Sequence, residues 1–561
     1  MTTNEHLKII ANEFKLNEKH VQNVCNLFFE KECTVPFIAR YRKEMTGSMD
    51  EVMLRLVRDK AKYLTELDAA KVRYLKVIEA AAKNDPLILK KLPELQKKIF
   101  ACLDKQILED IYLPFKPKRQ SKAKTARENG LEPLFQRLVN ESHEIENVQE
   151  LAQEFTKEGL TAEDALIGAG HILAESINEN AELRQFGRKH ILATGIVAAE
   201  ARKYDDSKKK PKNYDKFKNY FEYSEAIAKA VPHRILAIRR GEQEKCLRVK
   251  IKYESDPLVA KAQELLLGDR KATSFAGKWL QDSIVVGVNR LLGPALETEM
   301  RVHLKEKAEN SAIHVFSKNL DRLLMSAPLP GQIVLGIDPG LRTGCKCAVV
   351  SSTGKYLASE TIFPDPKDPE NEKSKLAKTI IHKFIDQYKV NFVAIGNGTG
   401  SKEISRLVVD VLKQHPGAKR LLVNESGASI YSTDDIAREE FPQLDATIRS
   451  AISIARRLQD PLAELVKIDP RSIGVGQYQH DVNVKKLNDS LGDVVVSCVN
   501  RVGVNINSAS FKLLSYVSGI GPSLAKNIIK FRDSNGAIKN RQSLQKVKGF
   551  GPKVFEQAGG F

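Results

Sequence analysis

The spacing of apolar residues divides the sequence into a long helical part and a shorter mixed part. From residue 1 to about residue 325, apolar residues recur every three or four positions, as in the stretch Ile88–Leu113. This period is typical of amphipathic α-helices that bury one face. The pattern therefore predicts a helical N-terminal region over residues 1–327.

Beyond Pro328 the pattern changes to short β-rich runs. The strands predicted there are QIVLGID, CKCAVVSS and KYLASETIF, followed after the amphipathic helix SKLAKTIIHKFIDQYK by NFVAIGNG and KRLLVNES. Helix resumes near Asp445. Three antiparallel strands, then a helix and further strands, is the order of an RNase H-like fold. We expect this α/β domain at residues 328–457, with a helical connector at 458–500.

The C-terminal residues 501–561 contain the only internal repeat, a Gly-apolar-Gly motif that opens a helix. It occurs in VSGIGPSLAKNIIKFR and again in KVKGFGPKVFEQ. Glycines let the backbone turn tightly and approach a ligand closely, and the N-terminus of the following helix attracts phosphate. The segment predicts a tandem helix-hairpin-helix domain, and the whole chain a multidomain, mainly α protein.

Charge makes nucleic acid the favoured ligand. The 561 residues carry 89 Lys and Arg against 71 Asp and Glu, a net charge of +18, and residues 501–561 alone have ten bases against two acids. Such an excess suits a polyanion. An internal packing hairpin is the alternative interpretation of the repeat. The residues expected to shape or charge the phosphate sites are Gly519, Gly521, Lys526, Lys530, Gly549, Gly551, Lys546 and Lys553.

Two basic segments in the helical part have open interpretations. In PFKPKRQSKAKTAR, a surface that contacts a nucleic-acid backbone is favoured over a solvated loop, because aromatic residues adjoin the charges; the candidates are Lys116, Lys118 and Arg119. In CTVPFIARYRKEMTGSMDE, Arg40 and Arg42 belong to a helix-turn-helix-like module. They fit phosphate contacts and a buried arginine network between helices equally well.

The acidic residues of the RNase H-like domain decide whether chemistry is expected. Two-metal hydrolysis of a phosphodiester needs three or four converging carboxylates. Asp338 ends the first strand, but Asn397 follows the fourth strand, where an acid is wanted. We therefore expect no catalysis, no cofactor and no metal, unless Asp338 binds one. The alternative is a Mg²⁺-dependent nuclease or junction resolvase that uses Asp338, Glu425 and Asp460.

Other classes of function lack sequence support. The chain has no P-loop and no zinc-protease or serine-hydrolase motif, and no apolar run long enough to span a bilayer. Its seven cysteines are scattered and odd in number, which suits a reducing compartment. The sequence predicts a cytoplasmic protein without a membrane partner, and a monomer because no heptad seam is present.

Several long stretches resemble the Tex family of bacterial transcription accessory proteins. They include PFIARYRKEMTGSMDE, YLPFKPKRQSKAKTARENGLEPL, GIDPGLRTGCKCAVV, IGNGTGSKE and RRLQDPLAELVKIDPRSIGVGQYQHDV, in family order over nearly the whole chain. The resemblance implies nucleic-acid binding without strict sequence preference, a role beside the transcription machinery and a resolvase-like domain without a complete active site. Family members usually continue into an S1 RNA-binding domain. This sequence ends at Phe561 without one, so weaker RNA affinity is expected.

Overall fold

The protein is described here from a computed structural model, which covers residues 2–83, 85–117, 120–141, 145–205, 209–268, 275–340, 343–365, 368 and 370–561. It confirms the expected fold class, mainly α with an α/β sheet domain. None of its helices in these ranges is both long and apolar enough to cross a membrane. The chain divides into two compact units, residues 1–9 with 59–311 and residues 10–58 with 312–561.

The helices and strands before residue 325 are short except for two helices of 32 residues. In chain order the elements are α1 (Asn4–Phe14), α2 (Glu18–Phe29), α3 (Val35–Tyr41), α4 (Lys43–Thr46), α5 (Glu51–Ala82), α6 (Pro86–Ala101), α7 (Lys105–Tyr112), α8 (Lys122–Glu128), α9 (Glu132–Asn140), α10 (Val148–Gln153), α11 (Ala162–Glu179), α12 (Ala181–Thr194), β1 (Ile196–Ala201), β2 (Glu222–Ala226), α13 (Pro232–Gln243), β3 (Leu247–Lys252), α14 (Asp256–Leu267), α15 (Phe275–Gly287) and α16 (Gly293–Leu324).

This region also contains a small β-sheet, which the sequence analysis did not predict. Strands β1, β2 and β3 form an antiparallel sheet in the order β2-β1-β3, with Val197 opposite Ile251. The side chains of β3 alternate between buried and exposed, as the sequence LRVKIK requires of a half-buried strand. The three strands are only five or six residues long, and charged residues interrupt their apolar pattern. The sequence analysis therefore assigned this part of the chain to the helical region.

The second sheet has the order and directions expected of an RNase H-like domain. Its elements are β4 (Val334–Asp338), β5 (Cys345–Val350), β6 (Tyr356–Ile362), α17 (Glu372–Tyr388), β7 (Phe392–Gly396), α18 (Ser401–Leu412) and β8 (Lys419–Val423). The strand order is β6-β5-β4-β7-β8, antiparallel on the β6 side and parallel from β4 to β8. The sequence predicts all five strands and α17 but misses α18.

Two of the candidate catalytic residues, Asp338 and Glu425, lie at the ends of parallel strands of this sheet. Because β4, β7 and β8 run in one direction, their carboxyl ends meet at one edge of the sheet. Asp338 ends β4, Asn397 follows β7, and Glu425 lies two residues after β8. This edge therefore brings the three positions together.

The remaining chain is helical. Its helices are α19 (Ala428–Thr433), α20 (Asp435–Glu440), α21 (Ala446–Gln459), α22 (Pro461–Leu465), α23 (Val484–Val502), α24 (Phe511–Leu514), α25 (Pro522–Asn535) and α26 (Pro552–Ala558). Helix α21 packs its apolar face against the sheet, where Ala451 and Ala455 lie over Gly336. A 3₁₀ turn, Arg541–Lys546, stands before α26.

Candidate nucleic-acid interface

The first hairpin joins α24 to α25 and uses its two glycines differently. Gly519 has a φ of +81°, which favours glycine. Gly521 has extended backbone and is the N-cap of α25, and no atom lies within 4 Å of the place that its Cβ would occupy. No side chain of a described residue caps the helix, and Pro522 at its first position has no N–H, so the N–H groups of Ser523 and Leu524 stay open to an external acceptor.

The second hairpin repeats this arrangement before α26. Gly549 has a φ of +88°, and Gly551 is an uncapped, extended N-cap with open space above it. Ile520 and Phe550, between the glycines of each pair, are buried. Each hairpin packs against the helix of the other: Gly519 lies on α26, and the Asn527 side chain of α25 donates to the Lys548 carbonyl. The two hairpins therefore pack together as one pair.

A buried amide on α23 fixes the first hairpin. Asn500 is 1% exposed, and its Oδ1 accepts from the Ser518 backbone N–H at 2.8 Å. Its Nδ2 donates to the Tyr516 carbonyl at 2.8 Å. The residue satisfies buried backbone groups that the turn leaves without partners. Nothing in the local sequence marks this role, because the contact joins positions eighteen residues apart.

The predicted cations surround the hairpins in different ways. Lys530 and Lys546 are exposed and form no ion pair with a described residue, whereas Lys553 pairs with Glu32 at 2.9 Å. Lys526 places its ammonium over the Phe511 ring at 5.4 Å. Lys530 and Lys546 are therefore the cations most available to a phosphate chain.

Arg40 and Arg42 contact other residues of the protein as well as solvent. Arg40 donates to the Asn500 carbonyl at 3.3 Å and lies over the Phe561 ring, and Arg42 pairs with Glu556. Tyr41 donates its hydroxyl to the Gly560 carbonyl at 2.8 Å. These contacts join helices, as the network interpretation expects, but Arg40 is exposed and Arg42 half-buried, so the network is not a buried one. The network attaches α3 to the helix-hairpin-helix segment.

The structure describes only part of the basic segment PFKPKRQSKAKTAR. Lys118 and Arg119 lie outside the described residues. Tyr112 stacks on Tyr74 with ring centroids 4.1 Å apart, so it packs in the helical core. Lys116 is exposed and lines a surface groove beside helix α11.

At the edge of the larger sheet, Asp338 and Glu425 lie close enough for their charges to interact. Burial raises the pKa of Asp338, and the Ser450 hydroxyl and two cations oppose that rise. Burial and then the Asp338 charge raise the pKa of Glu425. Gly396 and Gly398 cradle this carboxylate, since a Cβ at either position would overlap it.

The neighbours of these two carboxylates do not form a two-metal site. Asn397 uses its Oδ1 to accept from the Glu425 backbone N–H at 3.1 Å. Across the part of the chain that the structure describes, no three His, Cys, Asp or Glu residues are grouped to hold a metal ion. Two carboxylates alone are too few to clamp a pair of divalent ions. The donor set does not fit the metals of RNase H-like nucleases.

Arg457 of α21 provides positive charge beside the carboxylates instead. It is 3% exposed, and one guanidinium nitrogen donates to the Asn424 and Ser426 carbonyls at 2.6 and 2.9 Å. Burial lowers the pKa of Arg457 to about 10, against the opposing charges of Glu464, Glu425 and Asp338. Sequence reasoning missed this role of Arg457, because Asn424, Ser426 and Asp338 lie far from it along the chain.

The structure does not bring Asp460 to this edge. Asp338 faces Ser450, ten residues before Asp460 on the chain, a distance of about 15 Å along a helix. Gln459 donates to the Gln332 and Ser351 carbonyls at the opposite end of the strands. Asp460 is itself the N-cap of α22 and accepts from the Ala463 amide.

The sequence was compared with known protein families. Residues 4–79 match the Tex-like protein N-terminal domain, 143–316 the Tex central region-like domain, 332–459 the Tex protein YqgF-like domain and 499–561 a helix-hairpin-helix motif. These matches cover the N-terminal module, the α/β domain and both hairpins.

Individual proteins are similar over nearly the whole chain. Uncharacterized protein YdcI of Bacillus subtilis is 44% identical over 98% of this chain and 75% of its own length. Transcriptional accessory protein Tex of Neisseria gonorrhoeae is 41% identical over 99% of this chain and 71% of its own. Protein YhgF of Escherichia coli is 40% identical over 100% and 72%.

Proposed function

This chain belongs to the Tex family, and we propose on that premise that it is a transcription accessory protein that binds the phosphate backbone of RNA or DNA without cleaving it. The hairpin pair is the binding element. Contacts of backbone amides and lysines with phosphates carry no sequence information, so binding is sequence-independent and weakens with salt.

One observation carries this proposal. Gly521 and Gly551 occupy equivalent N-caps, neither is capped by a side chain, and the space above both Cα atoms is open. Neither position needs glycine for its backbone conformation, since both have extended backbone. Glycine there instead allows a phosphate chain to approach the amides closely. The excess of eight positive charges in residues 501–561 favours the same ligand.

The RNase H-like domain acts in this proposal as a scaffold. Asn397 bonds to backbone, and the buried guanidinium of Arg457 lies where its charge compensates Asp338 and Glu425. A metal-dependent nuclease is the second candidate, because those two carboxylates do interact at the carboxyl edge of the sheet.

The experiment is a titration of labelled single-stranded RNA, duplex DNA and a four-way junction, each with and without Mg²⁺ or Mn²⁺. We expect binding that weakens as salt rises, with every substrate intact after long incubation. Metal-dependent cleavage that disappears in Asp338→Asn would contradict the proposal and establish the nuclease.

A further inference from the structure

The edge strand β8 of the five-stranded sheet borders a groove that has no part in the proposed function. The strand lies at the end of the order β6-β5-β4-β7-β8 and pairs with β7 on its inner side. A groove of about 400 Å³ is lined by this strand and by helix α18. Four of the five residues of β8, Lys419 to Leu422, are exposed. The edge of the sheet is therefore open to solvent here.

Two residues of β8 direct their backbone groups away from the sheet. The Lys419 N–H donates to the Asn391 carbonyl, just before β7, at 3.0 Å. Because the direction of the backbone groups alternates along a strand, the N–H and C=O groups of Arg420 and Leu422 face the free edge. Among the described residues, none bonds to these four groups. The edge therefore presents two donors and two acceptors to a further strand.

An apolar row of the sheet reaches this edge and becomes exposed there. Cys347, Ile337 and Ile395 lie in register on neighbouring strands and are fully buried. Leu422 follows Ile395 in the row but is 59% exposed. Val409 of α18 lines the same groove and is 42% exposed. An apolar side chain on a further strand would extend the buried row at this point.

The charges that line the groove are mostly positive. Lys402 and Arg406 line it from α18 and Arg420 from β8, and all three are exposed. They form no ion pair with any residue that the structure describes. Asp410 also lines the groove, but its carboxylate pairs with two lysines outside the lining, at 2.9 and 3.9 Å. Two serines of α18 complete the lining. The groove is therefore complementary to an acidic ligand.

These features together fit an extended peptide better than other ligands. The phosphates of a nucleic acid supply no donor to the carbonyls of Arg420 and Leu422. A second copy of the chain, paired edge to edge, would place Lys419 and Arg420 against the same basic residues. An acidic peptide strand with one apolar side chain satisfies the donors, the acceptors, the charges and the apolar row.

We propose that β8 and α18 bind an extended segment of a partner protein, which joins the sheet as a further strand beside β8. Its side chains on the groove side are acidic, apolar and acidic at alternate positions, with the apolar residue opposite Leu422 and one acidic residue opposite Arg420. Only four residues separate β7 from α18, so Lys402 lies toward the carboxyl end of β8 and faces the other acidic residue. This order is the same in both directions and suits a parallel or an antiparallel strand.

The test measures the fluorescence anisotropy of short labelled peptides titrated with the full chain. The parent peptide has glutamate, leucine and glutamate at alternate positions, separated and flanked by threonines. The charge control has lysine in place of both glutamates. We expect saturable binding of the parent peptide, at least ten times tighter than that of the charge control.

A pair of N-methylated peptides distinguishes addition of a strand from attraction between charges. One has N-methyl groups on its glutamates and leucine, and the other has them on its threonines, so each lacks the N–H donors of one strand edge but keeps every charge. Only one edge of an added strand pairs with β8. We therefore expect one methylated peptide to bind at least tenfold more weakly than the parent and the other to bind like the parent.

Variants of the full chain locate the binding site. Leu422→Lys should weaken binding of the parent peptide at least tenfold, whereas Leu376→Lys, at a similarly exposed leucine of α17 outside the groove, should leave it unchanged. The double variant Arg406→Glu and Arg420→Glu should reverse the preference between the parent peptide and the charge control. Circular dichroism verifies that each variant is folded.

Several outcomes would overturn the proposal. They are equal binding of the parent and the charge control, no saturable signal up to millimolar concentration, equal binding of the two methylated peptides, and undiminished binding to Leu422→Lys. Displacement of the parent peptide by a single-stranded RNA oligomer would assign the groove to nucleic acid instead. Self-association of the free chain that Leu422→Lys abolishes would assign the edge to a second copy. None of these variants alters the hairpins, so the proposed function is tested separately.

Discussion

At the scale of single residues, the two glycines of the first hairpin have different physical reasons for being glycine. Gly519 has a positive φ, and a Cβ there would lie 2.9 Å from the Gln557 Cβ. Gly521 has ordinary extended backbone and open space above it. The first glycine is therefore required by the fold, and the second is free to serve a ligand.

This difference predicts that one chemical change, glycine to alanine, has unequal effects on stability at the two positions. Gly519→Ala should lower the free energy of unfolding by about 1–3 kcal/mol, because alanine is strained at that φ and its Cβ meets α26. Gly521→Ala should change it by less than about 0.5 kcal/mol, because alanine is the poorer N-cap but also reduces the conformational entropy of the unfolded chain, and the two effects oppose each other. Urea denaturation followed by circular dichroism measures both. Equal destabilisation by the two variants would show that Gly521 is also structural.

The raised pKa of Asp338 predicts how the stability of the protein depends on pH. Burial raises its pKa, so the folded state holds the proton more tightly than the unfolded state. Stability then falls as pH rises from the ordinary pKa through the raised one, and the cost persists at neutral pH. Asp338→Asn removes the ionisation and should raise Tm at pH 7.5.

The gain should become small as the pH falls below the raised pKa and reaches the ordinary pKa of aspartate, because the folded and unfolded states then differ little in protonation. Thermal melts at pH 7.5 and 3.5 measure this difference. Asp469→Asn is the control with the opposite sign, since hydrogen bonds from Arg471 lower the pKa of Asp469. That variant should bring no gain at pH 7.5. A gain from Asp338→Asn that is equal at both pH values would contradict the assignment to ionisation.

At the scale of elements, one amide connects α23 to the first hairpin. Asn500→Ala would leave the Ser518 N–H, 1% exposed, without an acceptor. An unsatisfied buried donor costs about 1–3 kcal/mol, so this loss of stability is expected. Affinity for duplex DNA should fall with it, because the hairpin loses its anchor.

The matched control for this change is Asn535→Ala. Asn535 is exposed at the end of α25, and among the described residues its side chain donates only to the Phe531 carbonyl of its own helix. Denaturation midpoints and binding curves should match those of the wild type. If Asn500→Ala also leaves both quantities unchanged, the hairpin is held by other contacts.

Sequence periodicity was sufficient for elements that are apolar and continuous. The strands of the RNase H-like domain are short β-rich runs, of which QIVLGID contains a strand buried over four consecutive residues, and these runs were recognisable in the order in which they follow one another along the chain. Strands β1 to β3 were missed because charged residues interrupt short runs. Helix α18 was missed because it lies directly behind the glycines of NFVAIGNGTG.

The candidate site was predictable only where its signal is local. The Gly-apolar-Gly repeats and the neutral Asn397 are visible in a few adjacent letters. Asn500 and Arg457 act on residues 18 to more than 100 positions away in the chain, so no local pattern identifies them. The same holds for Asp460, whose distance from Asp338 depends on the direction in which α21 crosses the sheet.

At the scale of the whole molecule, a net charge of +18 supplies attraction to any polyanion. That attraction alone does not distinguish a specific phosphate site from a generally basic surface. Lysines contribute to the salt dependence of binding, whereas neutral backbone amides contribute affinity with little effect on its slope. A variant that blocks access to the amides but keeps every charge therefore distinguishes a specific phosphate site from a generally basic surface.

The most direct test of the account is the affinity of the double variant Gly521→Ala and Gly551→Ala for labelled duplex DNA and single-stranded RNA at two salt concentrations. We predict binding about tenfold weaker than in the wild type, with an unchanged salt slope and an unchanged Tm. Affinity equal to that of the wild type at both salt concentrations would contradict the claim that the hairpin amides hold the phosphate backbone.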